Sequence, residues 1–513
     1  MEQGLREKVG QLFMVGFDAL QADEHIKTLI REKKVGGVIL FRRNVHTPAQ
    51  VSALCRELQE INAEVSDIPL LISIDQEGGM VMRIEQGVTP IPAAMAFQAA
   101  GSVEDCERMN QISGDEMRQV GINLLLAPVL DVNNNRNNPV IGVRAYGEDA
   151  ATVIAYGMAA MRGQRASGMA VTAKHFPGHG DTAIDTHYAM ALVPHDKERL
   201  RAVELAPFRA AIAGGVDAIM TAHVVFPAFE ADTSVPATLS KGVLTDLLRG
   251  EMQYQGVVIT DCLEMAAIAD GIGIAKGAIA TLQAGADIVL ISHREAQQTA
   301  AIDAVIAAVE RGDIALSRIE AACARVAELK RNRAVRDWRT RPVTPPALMQ
   351  PAAMALSQLL QKAALRVQGA YRALDASLPV TLLTVEVRSR SEIDEVALGR
   401  NKEARSSMLP ALLAAGLDVR EYALSAEALD DEVNEAIAFA QGAQQIVLQT
   451  YNAMFVEGQR RLVEALPQDK LWLVAGRLPY DLDLAPHAQG RLAAFGCRPA
   501  ALVPVVDKLA GKA

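Results

Sequence analysis

The sequence predicts an α/β protein: a (β/α)8 TIM-type barrel followed by a smaller α/β domain of αβα-sandwich type. Three observations predict it. Between residue 10 and about residue 292, eight short runs rich in Val, Ile and Leu alternate with longer stretches of helical period, the pattern of repeated βα units. Those runs are apolar on both faces for most of their length, as parallel strands covered on both sides are. After a Pro-rich break the same rhythm resumes in a shorter form. At 513 residues two domains are expected, because single cores rarely grow past ~250–300 residues.

Taken in order, the eight runs are QLFMVGF (11–17), GGVILF (36–41), LLISID (70–75), INLLLAPVLDV (122–132), MAVTAKHF (169–176), AIMTAHVVF (218–226), GVVITD (256–261) and DIVLIS (287–292). Between them, PAQVSALCRELQEINAE and ATVIAYGMAAMRGQRASG keep apolar residues near i, i+3, i+4 and i+7, one face of an amphipathic helix. Eight parallel strands point to a closed barrel; a doubly wound open sheet is the alternative, since strand count does not prove closure. Residues 316–333 read as a last amphipathic helix. AVRDWRTRPVTPPALMQP (334–351) then places four prolines within 18 residues and reads as a linker. Beyond it, LPVTLLTV, LLAAGLDVREYAL, IVLQTY, LWLVAG and RLAAFG alternate with helical segments such as DDEVNEAIAFAQ. The expected division is a barrel over 1–333, a linker over 334–351 and an α/β sandwich of about five strands over 352–513.

Composition excludes several classes. Lys and Arg total 51 against 61 Asp and Glu, a net charge of −10 with no basic run, so a nucleic-acid groove is disfavoured. The five cysteines are odd in number and scattered, without the close Cys/His spacing of a zinc site, and read as reduced thiols. The amino terminus carries charge through its first eight residues, unlike a signal peptide, and no stretch reaches the ~18 apolar residues of a membrane span. The expectation is a cytoplasmic protein with neither membrane nor nucleic-acid partner.

In a barrel of this kind, chemistry sits where strands end at their carboxyl edge. The polar residues gather there: Asp75 ends the third run, Lys174 and His175 the fifth and Asp261 the seventh, His223 lies in the sixth, and Arg144 falls in the loop after the fourth. Polar groups at the tips of apolar strands are costly unless something pairs with them. The loop after the fifth run is the densest, with His175, His179, Asp181, Asp185 and His187 in 13 residues. Three uses fit it: a metal site, though the loop lacks a helical His-x3-His frame; turn and cap formation; or proton transfer, with Asp185 orienting His187 so that its other nitrogen exchanges protons near neutral pH. Asp261 has two readings as well, as N-cap of the following CLEMAAIA segment or as a carboxylate aimed into the barrel mouth to attack an electrophilic carbon.

KHFPGHGDTAIDTH (174–187), with IDQEGG (74–79), IGVRAYGED (141–149) and ITDCLEM (259–265), resembles the family 3 glycoside hydrolases, in particular their β-N-acetylglucosaminidase branch. The Lys-His block ending in Asp-Thr-His is the part that marks the branch. The resemblance implies a retaining exo-glycosidase that releases terminal N-acetylglucosamine from peptidoglycan-derived fragments. It implies Asp261 as nucleophile, His187 as general acid/base with Asp185 as its partner, and Asp75, Arg83, Arg144, Lys174 and His175 as ligands of the terminal sugar. It implies no metal and no organic cofactor. Two positions depart from the family pattern: Met80 stands where many members have Arg, and Cys262 where some have Asp and others Ala. The carboxy-terminal domain offers no comparable cluster and is assigned no catalytic residue.

Retaining cleavage ordinarily pairs two carboxyl groups about 5–5.5 Å apart; here an imidazole would take the acid/base role, which its unperturbed pKa near ~6.5 permits in both directions. Aromatic residues make up only 4% of the chain, too few for the stacking platforms that grip long polysaccharides. A pocket clamping one terminal sugar by charge fits better. The alternatives on the same site are a phosphorylase, since a histidine does not repel phosphate as a carboxylate would, and a broader β-glucosidase/β-N-acetylglucosaminidase. A sugar-sensing module without turnover is the non-enzymatic reading.

Overall fold

In the computed structural model, residues 2–183, 186, 190–385 and 407–512 are described. Eight parallel strands form the first sheet: β1 (Phe13–Val15), β2 (Gly37–Leu40), β3 (Leu71–Ile74), β4 (Leu124–Leu125), β5 (Ala170–Phe176), β6 (Ala218–Thr221), β7 (Val257–Ile259) and β8 (Val289–Ile291). They run in chain order, β1 pairs with both β2 and β8, and a bridge between Ile259 and Ile288 joins β7 to β8. The sheet therefore closes on itself, and the open-sheet alternative is excluded. Each strand lies inside its expected run. β4 is much shorter than its run because Pro128 supplies no N–H to the ladder; pairing resumes past it, where Val129 bridges Lys174 and Leu130 N donates to Lys174 O at 2.6 Å.

The helices between strands start where side-chain caps satisfy their first N–H groups. Thr47 caps Pro48–Ala63 through Gln50 N at 3.1 Å, and Asp149 caps Ala150–Ala166 through Thr152 N at 2.9 Å. The first turns Val51, Leu54, Cys55 and Leu58 onto the barrel. Among the described residues no helix is long and apolar enough to cross a membrane.

After helix Leu316–Leu329, the Pro-rich stretch opens with two short helical turns, Arg333–Arg336 and Asp337–Arg339, around buried Trp338. Helix Pro351–Ala364 follows. The second sheet holds β9 (Arg366–Val367), β10 (Val380–Val385), β11 (Val419–Leu424), β12 (Gln445–Thr450), β13 (Leu471–Ala475) and β14 (Gly490–Ala493). Its order is β9-β14-β13-β12-β10-β11, parallel except for β9 against β14. Five of these strands are the expected ones. The sixth, β9, has two residues, too few for periodicity to mark. A central strand such as β12 is buried along its whole length, as strands covered on both faces are.

Candidate active site

The chain leaves β3 at Asp75 and doubles back at once, Gln76–Gly78 pairing with Val81–Met82. Gly78 and Gly79 turn the hairpin at φ 106° and 57°, and a Cβ on Gly79 would lie 2.5 Å from the Ala93 Cβ, so only glycine fits. Gln76 clips the far side, its amide bonding both N and O of Ile84. This short excursion brings Asp75, Glu77 and Arg83 to the barrel mouth. They meet Lys174 from β5 and Arg144 from the loop after β4.

The five side chains form one ion network. Lys174 Nζ lies 2.7 Å from both Asp75 Oδ1 and Glu77 Oε1. Arg144 grips Glu77 with two bonds of 2.8 Å, and Arg83 reaches Asp75 Oδ2 at 3.3 Å. Lys174 is 2% exposed and Arg144 6%, so these charges persist only because they are paired. Burial alone would raise the carboxyls of Asp75 and Glu77. Lys174 and Arg83 at Asp75, and Arg144 and Lys174 at Glu77, outweigh it and hold both below the usual carboxylate range. Burial likewise works to lower the Lys174 ammonium, but Asp75 and Glu77 keep it raised. The network is thus ionised at neutral pH.

His175 points into the same space. Its Nδ1 is 2.7 Å from Asp131 Oδ2, so Nδ1 carries the proton and donates, and its Nε2 lies 3.4 Å from an Arg144 nitrogen. Asp131 is fully buried and also accepts the backbone N–H groups of His175 and of His179, the latter at 2.6 Å. Despite burial, these partners keep its carboxyl low. His179 is pushed down to about 4, chiefly by burial, and bonds Thr182 and Thr186. It is neutral at pH 7 and links Thr182 to Thr186.

Asp261 follows β7 and lines the same cavity, with its Oδ1 accepting from Cys262 N at 2.7 Å. The next helix begins at Ala266 with Met265 at its N-cap, so the capping reading of Asp261 falls. Beneath this turn, buried His223 bonds Thr238 through Nδ1 and the Cys262 carbonyl through Nε2, both at 2.8 Å. It supports the turn from below. The Cys262 thiol, raised by burial to about 12, is not a nucleophile at neutral pH.

The result is a pocket lined by Asp75, Glu77, Arg83, Arg144, Lys174, His175 and Asp261, with Phe41, Met220 and Met265 as apolar walls. All six expected site residues that are described meet there. Asp185 and His187 lie outside the described residues. Asp181 of the same loop is engaged elsewhere, 2.5 Å from His195 Nε2. Sequence reasoning misses Glu77 and Asp131, though both carry a signal: each is an acidic residue at the carboxyl edge of an apolar run.

Among the described residues, one group has metal-ligating geometry: Cys262, Glu264 and His293, with ligand atoms within 4.8 Å of one another. The Glu264 carboxylate already accepts backbone N–H groups of Ser292, His293 and Arg294 at 2.8, 2.6 and 3.0 Å. Its position before helix Glu295–Arg311 makes it an anchor for that helix start.

Paired charges and one further carboxylate at the mouth of a (β/α)8 barrel define an enzyme pocket for a small polyhydroxylated molecule. The family model described as "Glycosyl hydrolase family 3 N terminal domain" matches residues 4–329, and the chain belongs to that family. It is 37% identical over 327 residues to "Beta-hexosaminidase A" of Pseudoalteromonas piscicida, a match covering 60% of this chain and 54% of that one. The chain therefore spans about half of that relative. Over 290 residues it is 37% identical to "Beta-hexosaminidase" of Stenotrophomonas maltophilia (strain K279a), covering 55% of this chain and 84% of the relative. Among solved structures, the glycoside hydrolase family 3 β-N-acetylglucosaminidase of Paenibacillus sp. str. FPU-7 is 44% identical with a TM-score of 0.93, over 99% of this chain and 97% of that one.

Proposed function

We propose that the chain is a retaining exo-acting β-N-acetylglucosaminidase that acts in the cytoplasm, releasing terminal N-acetylglucosamine from peptidoglycan-derived fragments through a covalent glycosyl-enzyme. The observation that carries the reading is the meeting of Asp261 with the Asp75/Lys174/Glu77/Arg144 network in one pocket at the barrel mouth. The similarity to beta-hexosaminidases and to the Paenibacillus β-N-acetylglucosaminidase supports the sugar.

In this reading the terminal sugar sits against fixed charges. Asp75 accepts from its hydroxyls, while Lys174, Arg83 and Arg144 donate, each charge-assisted bond contributing roughly 1.5–3 kcal/mol. His175, held by Asp131, offers Nε2 to the same ring. The Asp261 carboxylate attacks the anomeric carbon, the glycosidic C–O bond breaks, and His187 protonates the departing oxygen. Water, deprotonated by His187, then displaces Asp261 with net retention. Asp185 orients His187 and favours its charged form.

Turnover of a panel of 4-nitrophenyl β-glycosides tests this, with and without phosphate. The expected result is release of N-acetylglucosamine in preference to glucose, unaffected by phosphate, with a 2-fluoro glycoside labelling Asp261. Asp261→Asn should cost several orders of magnitude in kcat, as loss of a nucleophile does. A sugar 1-phosphate as product would make the enzyme a phosphorylase. A label on another residue would overturn the nucleophile, and binding without turnover would leave a sensing module.

A further inference from the structure

In an open parallel α/β sheet, the crevice beyond the carboxyl ends of the strands is where a ligand usually binds. In the second sheet, that edge faces the barrel. Val385 ends β10, Tyr451 follows β12, and Cys497 lies just past β14; together with Met80, 1% exposed, these residues form a small buried cluster of their own. Met80 is at the tip of the hairpin that carries Glu77 on one arm and leads to Arg83 on the other. A barrel residue thus occupies the place that a ligand of the second sheet would take.

A polar grip surrounds this apolar plug. Arg498, also past β14, donates from Nη2 to the carbonyls of Met80 at 2.9 Å and Met82 at 3.5 Å, and to Glu85 at 3.0 Å. The backbone N–H of Cys497 points at the Met80 sulfur at 3.5 Å. Each of these contacts lands on the hairpin or just past it. An arginine at position 80 would bring an uncompensated charge into this contact beside Arg498, which is a physical reason for the departure from the family pattern there.

We propose that Met80 and Arg498 are positioning residues: through them the second sheet fixes the hairpin, and the hairpin holds Glu77 and Arg83 in register with Lys174, Arg144 and Asp75. The inference rests on the proposed binding of a terminal sugar in that pocket. Loosening the hairpin weakens a clamp that holds substrate and transition state alike, so the loss falls on KM more than on kcat.

The test compares wild type with Met80→Ala, Met80→Leu and Arg498→Ala on 4-nitrophenyl N-acetyl-β-D-glucosaminide, with thermal midpoints measured alongside. Met80→Ala and Arg498→Ala should each raise KM about tenfold with kcat changed less than about threefold, and Met80→Leu, close in volume, should restore KM to within about twofold. The dissociation constant of free N-acetylglucosamine should rise in parallel with KM. Lowered thermal midpoints with KM and that dissociation constant unchanged would overturn the positioning role and leave Met80 and Arg498 as interface packing. A wild type inactive on this glycoside would instead overturn the glycosidase reading. Should Arg498→Ala fail to fold, the Met80 pair decides the question alone.

Discussion

A histidine that works by staying neutral carries the clearest consequence for pH. His179, just past β5, is buried, and its folded pKa is lowered from 6.5 to about 4 mainly by that burial. Between those values the unfolded chain binds a proton that the folded one refuses, so stability falls as the pH drops from about 6.5 and flattens near 4. The full window is worth about 3 kcal/mol at ~1.36 kcal/mol per unit. Asp75, Glu77 and Asp131 have lowered values; their stabilisation is complete above their unfolded values near ~4 and is lost only below them. Chemical denaturation at pH 7 and pH 5 should therefore show a loss of stability in wild type that His179→Gln reduces. An equal loss in both would refute the assignment to His179. At this scale the sequence exposed every site residue that ends a strand, because a polar tip on an apolar run stands out: Asp75, Lys174, His175 and Asp261. It marked Glu77 and Asp131 only as acidic residues at the edges of apolar runs, without assigning them to the site. Their roles depend on a hairpin register and on a contact across 44 residues, from Asp131 to His175, and neither is local information.

The elements that decide the site are loops. Asn138, in the loop after β4, is buried and spans two of them: its Nδ2 donates to His179 O at 2.8 Å, Gly180 O at 3.1 Å and Thr182 Oγ1 at 3.2 Å, while its Oδ1 accepts from Val140 and Ile141 N–H. One side chain thus ties the segment leading to Arg144 to the loop that begins at Pro177. Removing it leaves several buried polar groups unpaired at ~1–3 kcal/mol each, offset in part by water entering the space. Asn138→Ala is expected to destabilise the protein by roughly 2–4 kcal/mol in urea titration, and to speed proteolytic cleavage within 177–190 under native conditions. Unchanged cleavage would mean that the loop is held elsewhere. The eight barrel strands were legible because each must be apolar on both faces to sit between a packed interior and a layer of helices. The hairpin at 76–82 was not: its arms are two and three residues long, and its glycines mark a turn without revealing what the turn presents.

For the whole molecule, the sequence rhythm announced two sheets but assigned the second one no part in the chemistry. Their contact explains why composition could not reveal its use: the atoms that meet are backbone carbonyls and single side chains scattered through the chain. Arg477, fully buried just past β13, donates to the carbonyls of Val140 at 3.3 Å and Pro139 at 3.5 Å and to Asn452 Oδ1 at 3.2 Å. Nearby, Tyr480 Oη donates to Glu148 and accepts from Asn133 Nδ2 at 3.0 Å, and Arg136 pairs with Asp483 at 2.6 Å. The exposed Arg136–Asp483 pair adds little. The buried Arg477 adds more, since its loss strands acceptors on both sides of the contact and each hydrogen bond to a charged group contributes about 1.5–3 kcal/mol. Ala93, Met95, Ala96 and Val143 of the barrel half also pack into the apolar cluster of the second sheet, and two parts joined in this way unfold together while their shared contact stabilises each more than its own marginal stability would. Wild type is expected to melt in one transition by calorimetry, with tryptophan fluorescence and far-ultraviolet circular dichroism coincident. The two tryptophans report opposite sides, Trp338 near the barrel helices and Trp472 within β13. Arg477→Ala should separate the transitions by several degrees, the one that quenches Trp472 coming at a different temperature from the loss of barrel helix. Coincident melting at a uniformly lower temperature would show that the apolar contacts of Met80, and the cluster that holds both Val143 and Leu478, couple the sheets without Arg477.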